Sequence, residues 1–259
     1  MELKTMLYEK ESGIGIITFN RPKVLNAISP DTLDELIYLM SEIESDDEVK
    51  CVIITGGSRA FAAGADIAYM AKVDPVECER VMAKFHQAFD SVANLSKPVI
   101  AAIAGLAFGG GCELALACDI RIAAEGTKLG FPEVNLGIFP AAGGTQRLTR
   151  LVGIGWAKDM IMTGDPIDAE TAFKIGLVTR VVKPEDLMDE AKKLAMKLAA
   201  KAPITTRVAK QCLNNSISTD IASGLAFEQK AVAFLFSTED AKEGLNAFIE
   251  KRKANFKGR

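Results

Sequence analysis

Pro98-Val99-Ile100-Ala101-Ala102-Ile103 leads through Gly105-Leu106-Ala107-Phe108-Gly109-Gly110-Gly111 into Cys112-Glu113-Leu114-Ala115-Leu116-Ala117-Cys118. The first six residues are apolar and open with proline, the pattern of a short buried strand. The last seven read as a short helix. Three consecutive glycines between them cost chain entropy, so some local demand must offset it. A glycine-rich turn opening a helix presents free backbone N–H groups and the positive end of a dipole. With no side chains in the way, an anion, or an oxygen becoming one in a transition state, can approach closely. The plain alternative is a tight turn that lets strand and helix pack. Glycines alone do not separate the two.

Glu113 ends this glycine run, and twenty residues on Glu133 ends Gly130-Phe131-Pro132-Glu133. Both sit in otherwise apolar stretches. A buried carboxylate is costly unless paired, hydrogen-bonded or protonated, and burial raises its pKa toward the range useful for proton transfer. The pair suggests a general acid and a general base; the alternative is two surface glutamates after turns. The chain contains neither G-x-x-x-x-G-K-[ST] nor G-x-G-x-x-G, so a phosphate loop is a poor fit. An oxyanion site usually needs two donors. A second strand signal, Cys51-Val52-Ile53-Ile54-Thr55, runs through Gly56-Gly57-Ser58-Arg59 to Phe61-Ala62-Ala63-Gly64-Ala65-Asp66-Ile67 and offers another small-residue loop.

The wider chain fits an α/β enzyme. Its 259 residues can bury a sizeable core, and 49% hydrophobic with 25% charged residues is ordinary for a globular protein. Net charge is −3, which argues against a global basic surface for nucleic acid. No 18-residue apolar run suggests a membrane span, and the start Met1-Glu2-Leu3-Lys4 lacks signal and transit patterns, so a cytoplasmic location is expected. Five cysteines form no C-x-x-C pair and fit buried free thiols. Cys112 as a nucleophile would need a base or cation beside it. The single histidine, His86, argues against histidine-based metal sites and reads as a helix-surface or packing residue. No metal is expected.

Strands are expected at 14–20, 51–55, 98–103, 120–123, 128–130 and 178–182, with a helix near 76–94. Ser29-Pro30 reads as a helix N-cap and first position. After Pro184 the pattern is almost all helical, with starts at Pro184 and Pro203 and a capping box in Ser237-Thr238-Glu239-Asp240. Basic residues gather at the end as Lys251, Arg252, Lys253, Lys257 and Arg259, which suits a solvated helix end or a polyanionic nucleotide.

Six stretches, in order, resemble the crotonase (enoyl-CoA hydratase/isomerase) superfamily over essentially the whole length, and its short-chain enoyl-CoA hydratases most of all. They are Arg21-Pro22-Lys23-Val24-Leu25-Asn26-Ala27, Phe61-Ala62-Ala63-Gly64-Ala65-Asp66-Ile67, Gly109-Gly110-Gly111-Cys112-Glu113, Pro132-Glu133, Gly143-Gly144-Thr145-Gln146-Arg147-Leu148, and Ala247-Phe248-Ile249-Glu250-Lys251-Arg252-Lys253. The resemblance implies a spiral of ββα turns over 1–195 and a helical region over 196–259 used in trimerisation, giving trimers or dimers of trimers. It implies reversible syn hydration of a trans-2-enoyl-CoA to a 3-hydroxyacyl-CoA, with Glu113 and Glu133 catalytic and the amides of Ala65 and Gly110 as the oxyanion hole. Lys23, Val24, Ala27, Ala63, Asp66, Ile67, Phe248 and Lys251 match positions that cradle coenzyme A, which belongs to the substrate, so no separate cofactor is implied. Phe131 and Ala141 depart from the common family residues, and with Phe139 they fall at the acyl and water end of the site. Isomerisation, hydration of a cyclic dienoyl-CoA, and RNA binding as in one relative of the superfamily are the alternatives.

Overall fold

The computed structural model describes residues 1–259. A six-stranded sheet has the order β1 (Met6–Glu11), β2 (Ile14–Phe19), β3 (Cys51–Thr55), β5 (Val99–Ile103), β7 (Ile120–Ala124), β10 (Arg180–Val182). Only the β1–β2 hairpin is antiparallel; the other pairings are parallel. A smaller sheet stacks β4 (Ala60–Ala62), β6 (Leu106–Phe108), β8 (Lys128–Gly130) and β9 (Ile167–Asp168). Chain order explains the pairing of sheets. β3 leads to β4, β5 to β6 and β7 to β8, each advance adding one strand to each sheet. This is the expected α/β spiral, seen from its hydrogen bonds.

The helices are α1 (Pro30–Ser45), α2 (Ile67–Met70), α3 (Pro75–Ala93), α4 (Gly110–Ala117), α5 (Gly144–Thr163), α6 (Ala169–Lys174), α7 (Leu187–Ala199), α8 (Pro203–Ser216), α9 (Ile221–Leu235) and α10 (Glu239–Ile249). β3 and β5 are buried on both faces, as their unbroken apolar runs require of central parallel strands. Strand alternation divides the core. Val52, Ile54, Val99 and Ala101 face the main cluster with α1 and α3, while Cys51, Ile53, Ile100 and Ala102 face Leu187, Ala191, Leu194 and Ala195 of α7. Burying each such leucine contributes on the order of 2 kcal/mol. The boundary expected at 195/196 therefore falls inside a helix that covers the sheet.

Beyond α7 the packing thins. α8 buries only Val208, and α9 buries nothing; Ile221, Leu225, Val232 and Phe234 of α9 stand exposed. No helix is long and apolar enough to cross a membrane. The cap at Ser29 forms as expected, its Oγ accepting from Thr32 N at 3.3 Å. The capping box at 237–240 does not. Thr238 is the N-cap and accepts from Ala241 N at 3.1 Å, while buried Asp240 accepts from Lys257 N and Gly258 N at 2.7 and 2.8 Å. Asp240 fastens the C-terminal segment instead of closing a box.

Candidate active site

Each of the three glycines opening α4 meets a different demand. Gly109 has φ 48° and ψ −123°, and a Cβ there would lie 2.5 Å from Glu133 Oε1. A Cβ on Gly111 would lie 2.0 Å from the Ala62 carbonyl oxygen, so α4 and β4 touch backbone to backbone. Gly110 is different. Its added Cβ would be 3.4 Å from the Phe85 ring and 3.5 Å from Ala65 N, an ordinary fit that points into the gap between two loops. No side chain caps α4. The Gly110 N–H, at the first helical position, has no intrahelical acceptor, and the Ala65 N–H donates to no backbone acceptor in its loop. Both amides thus stand free on either side of one gap.

The Ala65 loop is held by the segment before α1. Ala63 N donates to the Leu25 carbonyl at 3.0 Å, Ile28 N to Gly64 at 2.8 Å and Asp66 N to Ile28 at 2.9 Å. Leu25 and Asn26 both adopt left-handed φ, 52° and 58°. Buried Asn26 accepts from Arg21 N at 2.9 Å and donates to the Ala60 carbonyl at 3.0 Å. Arg21 Nη2 meets Asp66 Oδ2 at 3.1 Å, and Nη1 donates to the Ala27 carbonyl. Asp66 also caps α2, accepting from Tyr69 N. The fold thus gathers Ala27, Ala63, Asp66 and Ile67 around Ala65, with Lys23 and Val24 exposed on the neighbouring turn. Asp66 is already engaged by the chain itself. Phe248, 85% exposed, and Lys251 lie at the far end of α10, in the helical region. There Arg252 is paired with Glu243 and Glu250, and Arg259 with Glu239.

Glu113 lies in the first turn of α4 and is 3% exposed. Its Oε1 accepts from Ala142 N and Gly144 N, both at 2.7 Å, and its Oε2 makes no hydrogen bond within the chain. Burial pushes the carboxyl up to about 7; the Gly144 and Ala142 bonds oppose the rise and the Glu133 charge adds to it. Glu133 follows β8 on the 3-10 turn Pro132–Leu136. Its Oε2 is buried with no partner, and burial raises its pKa as well. The glycine contacts above bring both carboxyls to one end of α4. Phe131 is fully buried and packs at Gly144, where an added Cβ would be 3.2 Å from its ring. Phe139 is 60% exposed. Ala141 is half-buried, and its carbonyl accepts from His86 Nε2 at 2.6 Å. Burial raises the Cys112 thiol out of the thiolate range, which removes it as a nucleophile.

Four residues with positional roles were not singled out in the sequence. Arg21 and Asn26 lie within a quoted motif, and Arg147, which reaches Asp90 at 2.6 Å and the Ala142 carbonyl at 3.2 Å, lies within another. Arg121 is buried in β7 and donates to the carbonyls of Ala115, Cys118 and Leu177. It thereby closes the C-terminal end of α4 with a cation, where the dipole favours one. A lone charge in an apolar strand was its only signal.

The model of the family described as enoyl-CoA hydratase/isomerase matches residues 9–259. The chain is 49% identical to a short-chain-enoyl-CoA hydratase of Clostridium acetobutylicum, covering 100% of both proteins. It is 46% identical to a crotonyl-CoA hydratase of Syntrophomonas wolfei, covering 99% of each. The crystal structure of an enoyl-CoA hydratase from Bacillus anthracis superposes with a TM-score of 0.95 at 40% identity, covering 99% of this chain and 100% of that one.

Proposed function

The chain belongs to the enoyl-CoA hydratase/isomerase family, and on that premise we propose how its site performs the reaction. It is an enoyl-CoA hydratase, a hydro-lyase acting on CoA thioesters. The observation that carries the assignment of roles is the meeting of two buried carboxyls with two free amides at the start of one helix. The thioester carbonyl oxygen sits between Ala65 N–H and Gly110 N–H. Water attacks C3 of the enoyl group, and the charge that builds on the carbonyl oxygen is held by those amides. Glu113 takes one proton of the water. Its two backbone donors favour the anion that a base must be. Glu133 delivers a proton to C2. Its buried Oε2 has no hydrogen-bond partner, and burial raises its pKa against the pull of its own backbone amide, which suits a group that gives up a proton. One turnover moves a net proton from Glu133 to Glu113, and exchange with solvent resets the pair.

Coenzyme A enters as part of the substrate, along the zipped segments that carry Lys23, Val24, Ala27, Ala63 and Ile67, with Phe248 and Lys251 reaching it from the helical region. Phe131 closes the acyl end beside Glu113. The chain assembles as a trimer or dimer of trimers through α8 to α10, a reading supported by the bare apolar face of α9. The cytoplasm is the proposed compartment. Loss of the conjugated enoyl-thioester absorbance with crotonyl-CoA, and identification of the product by mass and chiral analysis, tests the reaction. A 3-hydroxyacyl-CoA is expected. A shifted double bond with no added water would overturn hydration in favour of isomerisation.

A further inference from the structure

The Ala141–Ala142 peptide joins two hydrogen bonds end to end. Its carbonyl accepts from His86 Nε2 at 2.6 Å, and its N–H donates to Glu113 Oε1 at 2.7 Å. His86 is the only histidine of the chain. One helical turn later on α3, Asp90 grips Arg147 at 2.6 Å. A single face of α3 therefore fastens both ends of the segment that wraps Glu113. A carbonyl oxygen offers only acceptor sites, so this contact requires a proton on Nε2. The peptide group is conjugated, and a donor at its oxygen draws electron density from its nitrogen. The N–H at the other end becomes a stronger donor, as in any polarised chain of hydrogen bonds.

We propose that His86 is a positioning residue for hydration, orienting Glu113 and strengthening its hold through the Ala141–Ala142 peptide. The proposal rests on Glu113 as the base of the reaction. The charged groups that line the same cleft as His86 are Asp90 on α3, Arg147 and Arg150 on α5, Asp119 and Arg121 at β7, and Lys210 on α8. Asp90 and Arg147 engage each other, as do Asp119 and Lys210 at 2.8 Å, and Arg150 donates to Gln146 and Ile217. None of them is bonded to the Ala141 carbonyl. Without the His86 donor, the Ala142 N–H is a poorer donor and Glu113 holds its proton to higher pH. The effect falls on the chemical step, not on capture of the CoA moiety.

The test compares wild type, His86→Ala and His86→Gln with crotonyl-CoA across pH, with melting curves to establish folding. It adds a nitrogen-correlated NMR spectrum of the single imidazole in the wild type at mildly alkaline pH. His86→Ala is expected to lose about five- to ten-fold in kcat, the effect of one hydrogen bond, with KM within about two-fold and the acid limb of the rate profile moved to higher pH. Glutamine places an amide donor near Nε2 and is expected to recover most of the rate. The wild-type imidazole is expected to carry its proton on Nε2. A folded His86→Ala with wild-type kcat and acid limb overturns the proposal, and so does a neutral imidazole protonated on Nδ1 alone. If wild type fails to hydrate crotonyl-CoA, the functional reading is what fails, and the NMR result still decides the contact.

Discussion

Gly144 N donates to Glu113 Oε1 at 2.7 Å, and a Cβ on Gly144 would lie 2.9 Å from that same oxygen. The residue that holds the carboxylate is thus also the one whose missing side chain makes room for it. A methyl there would also meet Pro140 at 2.8 Å and Phe131 at 3.2 Å. Gly144→Ala is expected to cost about 1–3 kcal/mol in stability by overpacking. It should lower kcat by roughly ten- to a hundred-fold by displacing Glu113. Denaturant unfolding beside steady-state kinetics checks both. A variant with wild-type kcat would mean that Glu113 needs no such placement.

Gly110 and Gly111 should separate catalysis from folding. A methyl on Gly110 fits sterically but fills the approach to Ala65 N; on Gly111 it runs into the Ala62 carbonyl at 2.0 Å. Gly110→Ala is expected to fold normally and lose on the order of a hundred-fold in kcat, the scale of a damaged oxyanion hole. Gly111→Ala is expected to lose folded protein first. Soluble yield, melting temperature and turnover measured on the two variants test the contrast, which the reverse pattern would refute.

Glu113 should leave a signature in both rate and stability against pH. As the base it must be ionised, so kcat/KM should rise through about pH 7, where burial has moved its carboxyl. Stability has the opposite slope. Between the ordinary glutamate value and about 7 the unfolded chain releases this proton while the folded chain keeps it. The folded state therefore loses stability as pH rises over that window, by roughly 3 kcal/mol in all. Glu113→Gln removes the titration. Its stability advantage over wild type should grow from about pH 4.5 to about 7 and then level off, while its hydration rate falls by several orders of magnitude. An advantage independent of pH would show that Glu113 ionises normally in the folded chain.

Asn26 supports the Ala65 amide from a distance. Asn26→Ala would leave the Ala60 carbonyl without this donor and would also place alanine at φ 58°. We expect about 2–3 kcal/mol of lost stability from the unmade buried bonds and the strain. A kcat loss is expected even well below the melting temperature. If kcat per folded molecule stays at wild type, the 21–28 segment does not tune the amide.

Long elements were legible in the chain because their patterns repeat. The strand at 99–103 is a continuous apolar run, those at 51–55 and 120–124 are apolar apart from Thr55 and Arg121, and α3 shows its stripe of Val81, Phe85, Phe89 and Val92. Of the second sheet only β8, expected at 128–130, was legible; β4 and β6 have three residues each and β9 two, too few for any period to emerge. The residues of β4 and β6 read as glycine-rich loops, and only pairing in space makes them strands. Glu113 and Glu133 stood out because a charge in an apolar stretch needs an explanation. His86 gave no such signal, for its contact is to a backbone carbonyl fifty-five residues away, which side-chain chemistry in the sequence does not encode.

The bare face of α9 has a further consequence. A helix that buries none of its residues within its own chain gains little from folding alone, so any neighbour that covers Ile221, Leu225 and Phe234 stabilises it by mass action. Melting temperature should then fall on dilution, and a single unfolding free energy would have meaning only at a stated protein concentration.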